Sequence, residues 1–295
     1  MRTLFIFVAA LLAPVVFAQA PSISEPFDFE SSDGVSAVLV ADHRVPIVEI
    51  ALMFPVGNHN TWFAENHGAE AFALQNMDPD GALRARANKL AVSIDFNVGD
   101  LACVVSARGL REDIHEMKQL LVDILANNTI DKSEVKRAAQ GTKVGWSSQQ
   151  KDADFVLHTA MAEVMYDSAD PRMIAYRAPT PLTRDPAVLL SVRDEIIRLS
   201  GRTIGFSGDL TLTEATDLSV GLLPKATNER QVAVTYPALK GERPELRETE
   251  LADLNQVYLA FTGEAPAVTD TQFPAFMLAR AVLGGHFHSR LYKAL

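Results

Sequence analysis

The first half of the chain carries short runs in which apolar and polar residues alternate, which is the pattern of half-buried strands. Residues 35–42 and 47–56 alternate in this way on either side of a turn that contains Pro46, and we expect them to pair as a hairpin. Residues 92–98 and 101–107 flank a Gly-Asp turn and predict a second hairpin. The pattern therefore predicts an antiparallel sheet.

A spacing of three and four residues between apolar positions predicts helices elsewhere in the chain. It is clearest in residues 110–127, where the apolar positions are Ile114, Met117, Leu121, Ile124 and Leu125. Further helices are predicted at 68–77, 82–91, 131–150, 152–166, 185–200, 211–223 and 273–283. Strands are predicted at 203–208 and 256–262, with a further short one at 231–236.

The order strand, polar loop, alanine-rich helix begins at Ile47 and begins again at Gln256, which is a weak internal repeat. Between the two copies, residues 224–254 are rich in charge and contain proline, as linkers often are. We therefore predict a first domain at 21–223, a linker at 224–254, and the start of an incomplete second domain at 255–295. The predicted fold class is α+β, with helices packed on a mostly antiparallel sheet.

Charge and the amino terminus limit the classes of function. The chain has 37 acidic and 27 basic side chains, for a formal charge of −10, so it is a poor candidate for binding nucleic acid or an anionic membrane. Residues 1–20 combine Arg2, an apolar run and Ala18-Gln19-Ala20, which is typical of a cleaved signal peptide. We expect an exported, periplasmic protein that is soluble after cleavage; an uncleaved membrane anchor is the alternative.

Four stretches resemble the pitrilysin/insulinase family of zinc metallopeptidases, which includes mitochondrial processing peptidase. They are Val38–Asp42 with Pro46–Val48, Phe54–Gly57 with Gly68 and Met77, Arg202–Leu210, and Leu283–Leu291. The last is similar to the family's Gly-Gly-x-x-Ser-Arg-Leu signature. The resemblance implies α+β domains that work as two clamshell halves, sometimes with one active and one inactive subunit.

The family's metal site is an H-x-x-E-H motif on a helix, in which two histidines bind zinc and the glutamate activates a water. Alignment on Met77 places Phe72, Gln75 and Asn76 at the three motif positions. Alignment on Gly68 also supplies no histidine. Neither register therefore holds the ligands that the family's chemistry needs, and we assign no confident catalytic or metal-binding residue.

A third register places His67 and Glu70 at the first histidine and the glutamate, but has alanine at the second ligand. The family's further glutamate should lie in the helix at 131–150, which has no carboxylate between Glu134 and Asp152. Lysines and an arginine occupy that helix instead and would repel a cation. One imidazole and one carboxylate are too few for a stable zinc site.

The resemblance, with these departures, predicts an exported and non-catalytic homologue that needs no cofactor. It would be the inactive subunit beside a catalytic pitrilysin-like partner, helping to enclose a peptide substrate. Two alternatives stay open. One is an active zinc peptidase with a non-standard site at His67 and Glu70. The other is a stand-alone envelope protein that binds peptides.

Overall fold

A computed structural model describes residues 24–60, 72–73, 81–229, 234–240, 247–251 and 254–294. The predicted signal peptide and most of the predicted helix at 68–77 lie outside these ranges, and so do His67, Glu70, Gln75 and Asn76. Among the candidate site residues, Phe72 is described, and it is helical.

Six strands form one sheet in the described part of the chain. They are β1 Phe27–Glu30, β2 Ser36–Ala41, β3 Ile47–Phe54, β4 Ser93–Val98, β5 Cys103–Leu110 and β6 Thr203–Gly208. Their order across the sheet is β1-β2-β6-β3-β5-β4. Every neighbouring pair is antiparallel except β2 and β6, which are parallel. The predicted fold class, α+β with a mostly antiparallel sheet, is confirmed.

The hairpin predicted between β2 and β3 is wrong, because β6 lies between these two strands. Phe206 of β6 stands opposite Leu39 on one side and Ile50 on the other. All three side chains are buried, so the inserted strand continues the apolar face of the sheet. The hairpin predicted between β4 and β5 does form, with Val98 opposite Cys103. Strand β1 was not predicted.

Eight α-helices are described. They are α1 Ala82–Lys89, α2 Ile114–Ala126, α3 Lys132–Gln149, α4 Ala153–Met165, α5 Pro186–Ile197, α6 Leu212–Ser219, α7 Phe273–Gly284 and α8 Arg290–Ala294. Polar side chains fix where several of them begin. Asp131, Asp152 and Asp185 each accept a backbone N–H in the first turn of α3, α4 and α5, and Thr211 and Glu214 form a capping box on α6. None of the described helices is both long and apolar enough to cross a bilayer.

The main core lies between one face of the sheet and the helices. On β3 every second side chain, from Val48 to Phe54, is completely buried, as expected for a strand with one covered face. Helix α2 covers this face with its fully buried apolar stripe, Met117, Leu120, Leu121 and Ile124. The predicted amphipathic helix is thus confirmed, and it holds the sheet by apolar burial.

The strand predicted at 256–262 is wrong, because these residues pair with no other strand and have no regular structure. Val257 is 85% exposed and Phe261 is 80% exposed. Helix α7 follows as predicted, but none of its residues is buried. An alternating apolar pattern makes a strand only when a partner strand supplies hydrogen bonds, and the described residues supply none here. Residues 234–236, within the predicted strand at 231–236, are not extended into a strand either.

Gly208 ends β6 at the point where this strand is closest to β3. Its φ is 106°, and a Cβ built on it would lie 2.0 Å from the carbonyl oxygen of Ile47. Since that oxygen is backbone in a central strand, it has no room to move away. The insertion of β6 between β2 and β3 therefore needs glycine at this position.

We expect Gly208→Ala to lower the free energy of unfolding by more than about 3 kcal/mol, because it adds a backbone clash to an unfavourable φ. Gly221 is the matched control, since its φ is also positive, at 69°, but an added Cβ would meet nothing within 4 Å. Gly221→Ala should cost only about 1 kcal/mol. Urea unfolding of the two variants measures the difference, and equal losses would show that the close approach is not a constraint.

Candidate functional site

Phe72 occupies the first motif position in the register set by Met77, and the structure buries it. It is 8% exposed and forms a small apolar cluster with Val135 of α3 and Leu189 of α5. Ile130, Ala138 and Leu182 pack around the same cluster. The described neighbours of this position are therefore apolar, which favours an aromatic ring there, and they offer a cation no ligand.

Helix α3 is where the resemblance would place a further carboxylate ligand. Val135 is its only buried residue, and its cations Lys136, Arg137 and Lys143 are exposed. Glu134 is engaged with Arg137, at 2.6 Å. Asp152, the next carboxylate along the chain, accepts a hydrogen bond from the Phe155 N–H as the N-cap of α4. Glu134, in the first turn of α3, and Asp152, just after the helix, are thus both engaged in local contacts.

Within the ranges that the structure describes, no three His, Cys, Asp or Glu side chains come close enough together to hold a metal ion. The residues that the register set by Met77 would align with the zinc motif also do not fit that ion by their chemistry. Phe72 is apolar and packed in hydrocarbon, while Gln75 and Asn76 are neutral amides in the sequence. Zinc sites in proteins are built from imidazole, thiolate and carboxylate ligands, and this motif provides none of them.

A polar cluster, which we call the Arg172 clasp, lies beyond the end of α4 and was missed by the sequence analysis. Arg172 binds both carboxylate oxygens of Asp170, with its Nε 2.9 Å from Oδ1 and its Nη2 2.6 Å from Oδ2. Its guanidinium carbon lies 4.2 Å from the ring centre of Tyr166 and 5.1 Å from that of Tyr236. The arginine is thus held by one carboxylate and two aromatic rings.

The clasp holds part of the predicted linker against the first domain. Arg172 Nη2 also donates to the carbonyl oxygen of Pro237 at 2.8 Å, and Tyr236 Oη lies 2.7 Å from Nδ1 of His59. Lys240 adds a backbone bond to Met165, at 3.0 Å. Residues 234–240 are therefore docked on the body of the protein rather than free in solvent, although the domain boundaries themselves stay a prediction.

Electrostatic interactions within the clasp favour the ionised form of the Asp170 carboxyl. The side chain of Asp170 is only 1% exposed, yet the Arg172 guanidinium lowers the pKa of this carboxyl below its usual value by hydrogen bonding. Burial raises the pKa of Tyr236, and the charge of Asp100 adds to that shift. The tyrosine therefore stays protonated, and its hydroxyl remains available to His59.

We expect Arg172→Met to lower the free energy of unfolding at neutral pH by about 3 kcal/mol, because it leaves the Asp170 carboxylate buried without its cation. A carboxyl with a lowered pKa in the folded state contributes stability above its ordinary pKa and loses it as the pH falls. The difference in the free energy of unfolding between Arg172→Met and the unmodified chain should therefore shrink below about pH 4, where an ordinary aspartate becomes protonated.

The control for this variant is Arg137→Met, which removes an exposed pair with Glu134 and should cost less than about 1 kcal/mol at any pH. Urea unfolding across the pH range measures both variants. If the loss of unfolding free energy in Arg172→Met did not depend on pH, the contacts of Arg172 with the aromatic rings, and not its pairing with Asp170, would stabilise the clasp.

Comparison with known proteins adds two findings. Residues 186–295 match the family model described as the peptidase M16 inactive domain. Among solved structures, the peptidase M16 inactive domain from Pseudomonas fluorescens superposes with a TM-score of 0.65 at 14% identity, covering 92% of this chain and 67% of that one. No curated protein matches the sequence.

Two further structures have the same fold. The first half of the periplasmic protease PqqL from Escherichia coli gives a TM-score of 0.57 at 16% identity, over 73% of this chain and 50% of that one. A putative M16-like peptidase from Alicyclobacillus acidocaldarius gives 0.55 at 14% identity, over 73% and 54%. The chain thus spans between about half and two thirds of the length of these relatives. Residues 186–295 are thus similar to the M16 inactive domain, and most of the chain shares the fold of M16-like peptidase structures.

Proposed function

We propose that this chain is a non-catalytic M16-like protein that encloses and orients a peptide beside a catalytic partner subunit. The observation that carries the proposal is the packing of Phe72 against Val135 and Leu189, since the register set by Met77 aligns Phe72 with the family's first zinc ligand. The family model that matches residues 186–295 is itself that of an inactive domain. The packing of Phe72 favours a peptidase fold that no longer cleaves, and the family match, which lies outside residues 72–76, supports the fold.

The chemistry of the motif residues supports this proposal. Zinc-dependent hydrolysis needs a metal held by basic ligands, so that the pKa of its bound water falls. Gln75 and Asn76 retain the size and hydrogen bonding of glutamate and histidine side chains but lack their basicity. Because α3 exposes lysine and arginine and contributes no carboxylate beyond Glu134, a third ligand is missing as well.

One edge of the sheet can still take up a peptide. Among the described strands, β4 pairs only with β5, so its other side has no strand partner in the described part of the chain. The exposed side chains of β4 are Ser93, Asp95 and Asn97, which are small or polar and leave the backbone accessible. An extended peptide can add to such an edge by main-chain hydrogen bonds.

Charge suggests which peptides this edge would take. The chain has a formal charge of −10, and Asp95 lies in the middle of β4. Opposite charges steer association and favour complementary partners, so cationic peptides should be preferred. Hydrogen bonds between the backbone of a peptide and the backbone of β4 need no metal ion.

Export is part of the proposal. Its support is the sequence pattern of Arg2, the apolar run and Ala18-Gln19-Ala20, together with the description of PqqL as a periplasmic protease. A periplasmic location would place the chain among unfolded and fragmented polypeptides. A catalytic M16-like subunit in the same compartment would then supply the hydrolysis that this chain lacks.

We expect the purified chain to contain far less than one zinc and to cleave no peptide. The triple variant Phe72→His, Gln75→Glu, Asn76→His should behave in the same way, because it restores two ligands and a base but no third ligand. Elemental analysis after dialysis and a quenched fluorescent peptide assay measure the two properties.

The double variant Gln75→Glu, Asn76→His is the control for folding, since it leaves the apolar cluster of Phe72 intact. Robust cleavage by the triple variant would show that α3 does provide a ligand. About one zinc per unmodified chain, lost on His67→Ala, would instead establish the active peptidase with a non-standard site.

A further inference from the structure

A cavity of about 360 Å³ lies between α2, α5 and the segment that follows α6, away from the Phe72 cluster. Part of its wall is apolar, formed by Val122, Leu125 and Leu222. The other part is polar and contains Asn128, Arg193, Arg198 and one carboxylate, Asp194, which Arg198 binds. Its volume is in the range of small-molecule sites, and so is its combination of an apolar wall with a few polar groups.

Arg193 is the unusual member of this wall. It is only 2% exposed, and its Nη2 donates one hydrogen bond to Asn128 Oδ1, at 3.2 Å. Its Nη1 has no acceptor in the part of the chain that the structure describes. Burial lowers the pKa of the Arg193 guanidinium, as expected for a cation removed from water without full compensation. A buried cation with an unused donor is costly unless an anion accompanies it.

Among the described residues, no carboxylate forms a direct ion pair with Arg193, although the nearby charge of Asp194 offsets part of the effect of burial on its pKa. Asp194, the next residue on α5, binds Arg198 instead, with its Oδ1 2.8 Å from the Arg198 Nε. Arg202 is also buried and donates to two backbone carbonyl oxygens, those of Ile197 and Pro224. Burial and the charge of Arg198 both lower the pKa of Arg202. The cavity wall thus carries two guanidiniums, those of Arg193 and Arg198, and one carboxylate, that of Asp194.

We propose that this cavity binds a small organic carboxylate with an aliphatic body. The carboxylate binds the guanidinium of Arg193, and the aliphatic part packs against Val122, Leu125 and Leu222. Guanidinium and carboxylate match in geometry and form charge-assisted hydrogen bonds, which are the strong ones in a site with little water. An inorganic anion would satisfy the charge but leave the apolar wall and most of the volume unfilled.

Calorimetric titration of the full chain with octanoate tests this proposal. We expect saturable binding of one octanoate per chain. Acetate, which lacks the aliphatic body, and 1-octanol, which lacks the charge, should each bind at least about tenfold more weakly. Arg193→Met should weaken octanoate binding by about tenfold or more, the usual effect of losing a hydrogen bond to a charged group. Arg137→Met on α3, outside this cavity, should leave binding unchanged.

A second variant keeps the test decisive if Arg193→Met folds poorly. Ala126 lies on the exposed rim of the cavity at the end of α2, so Ala126→Trp should block the opening without disturbing the core. It should also abolish octanoate binding. Without ligand, the thermal midpoint of Arg193→Met should equal or exceed that of the unmodified chain, because a buried unpaired charge is removed.

Three results would overturn the proposal. The first is equal octanoate affinity in the unmodified chain and in either cavity variant, which would place octanoate on the exposed apolar residues of 254–294. The second is phosphate binding as tightly as octanoate, which would make the site a simple anion site. The third is the absence of octanoate binding, which would leave Arg193 as a structural residue.

Discussion

The insertion of β6 between β2 and β3 is the interaction on which the rest of this structure depends. It joins Thr203–Gly208 to strands that precede it by about 150 residues and makes the sheet continuous. Gly208 permits it, because any side chain would meet the Ile47 carbonyl oxygen. The helices between β5 and β6 are thereby anchored at both ends, which brings α3 and α5 together over Phe72 and places Arg193 beside α2.

Much of the fold follows from local pattern. The β4–β5 hairpin and the amphipathic helix α2 were both predicted, because turn residues and apolar spacing act over a few residues. The partner of β2 was not, since no local signal reveals a strand that arrives from much later in the chain. The prediction of a strand at 256–262 was wrong for a related reason: an apolar pattern does not provide a partner strand, and the described residues contain none there.

The candidate site likewise has features that the sequence predicts and features that only the folded structure reveals. The register set by Met77 predicts Phe72, Gln75 and Asn76 at the motif positions, and the absence of histidine there can be read directly from the sequence. The Arg172 clasp and the Arg193 cavity could not be predicted. Their partners, such as Tyr236 and Asn128, are about 65 residues away in the chain and meet them only in the folded protein. Asp170-Pro171-Arg172 was the one local signal for the clasp.

The central claim is that this chain holds an extended peptide without cutting it. Hydrogen exchange of the purified chain with and without an excess of a cationic twelve-residue peptide tests that claim most directly, with mass spectrometry of the peptide afterwards. We predict slower exchange at backbone amides of β4, Ser93–Val98, little change in α2, and a peptide recovered intact. Unchanged exchange in β4, or a peptide cleaved by the chain alone, would contradict the account.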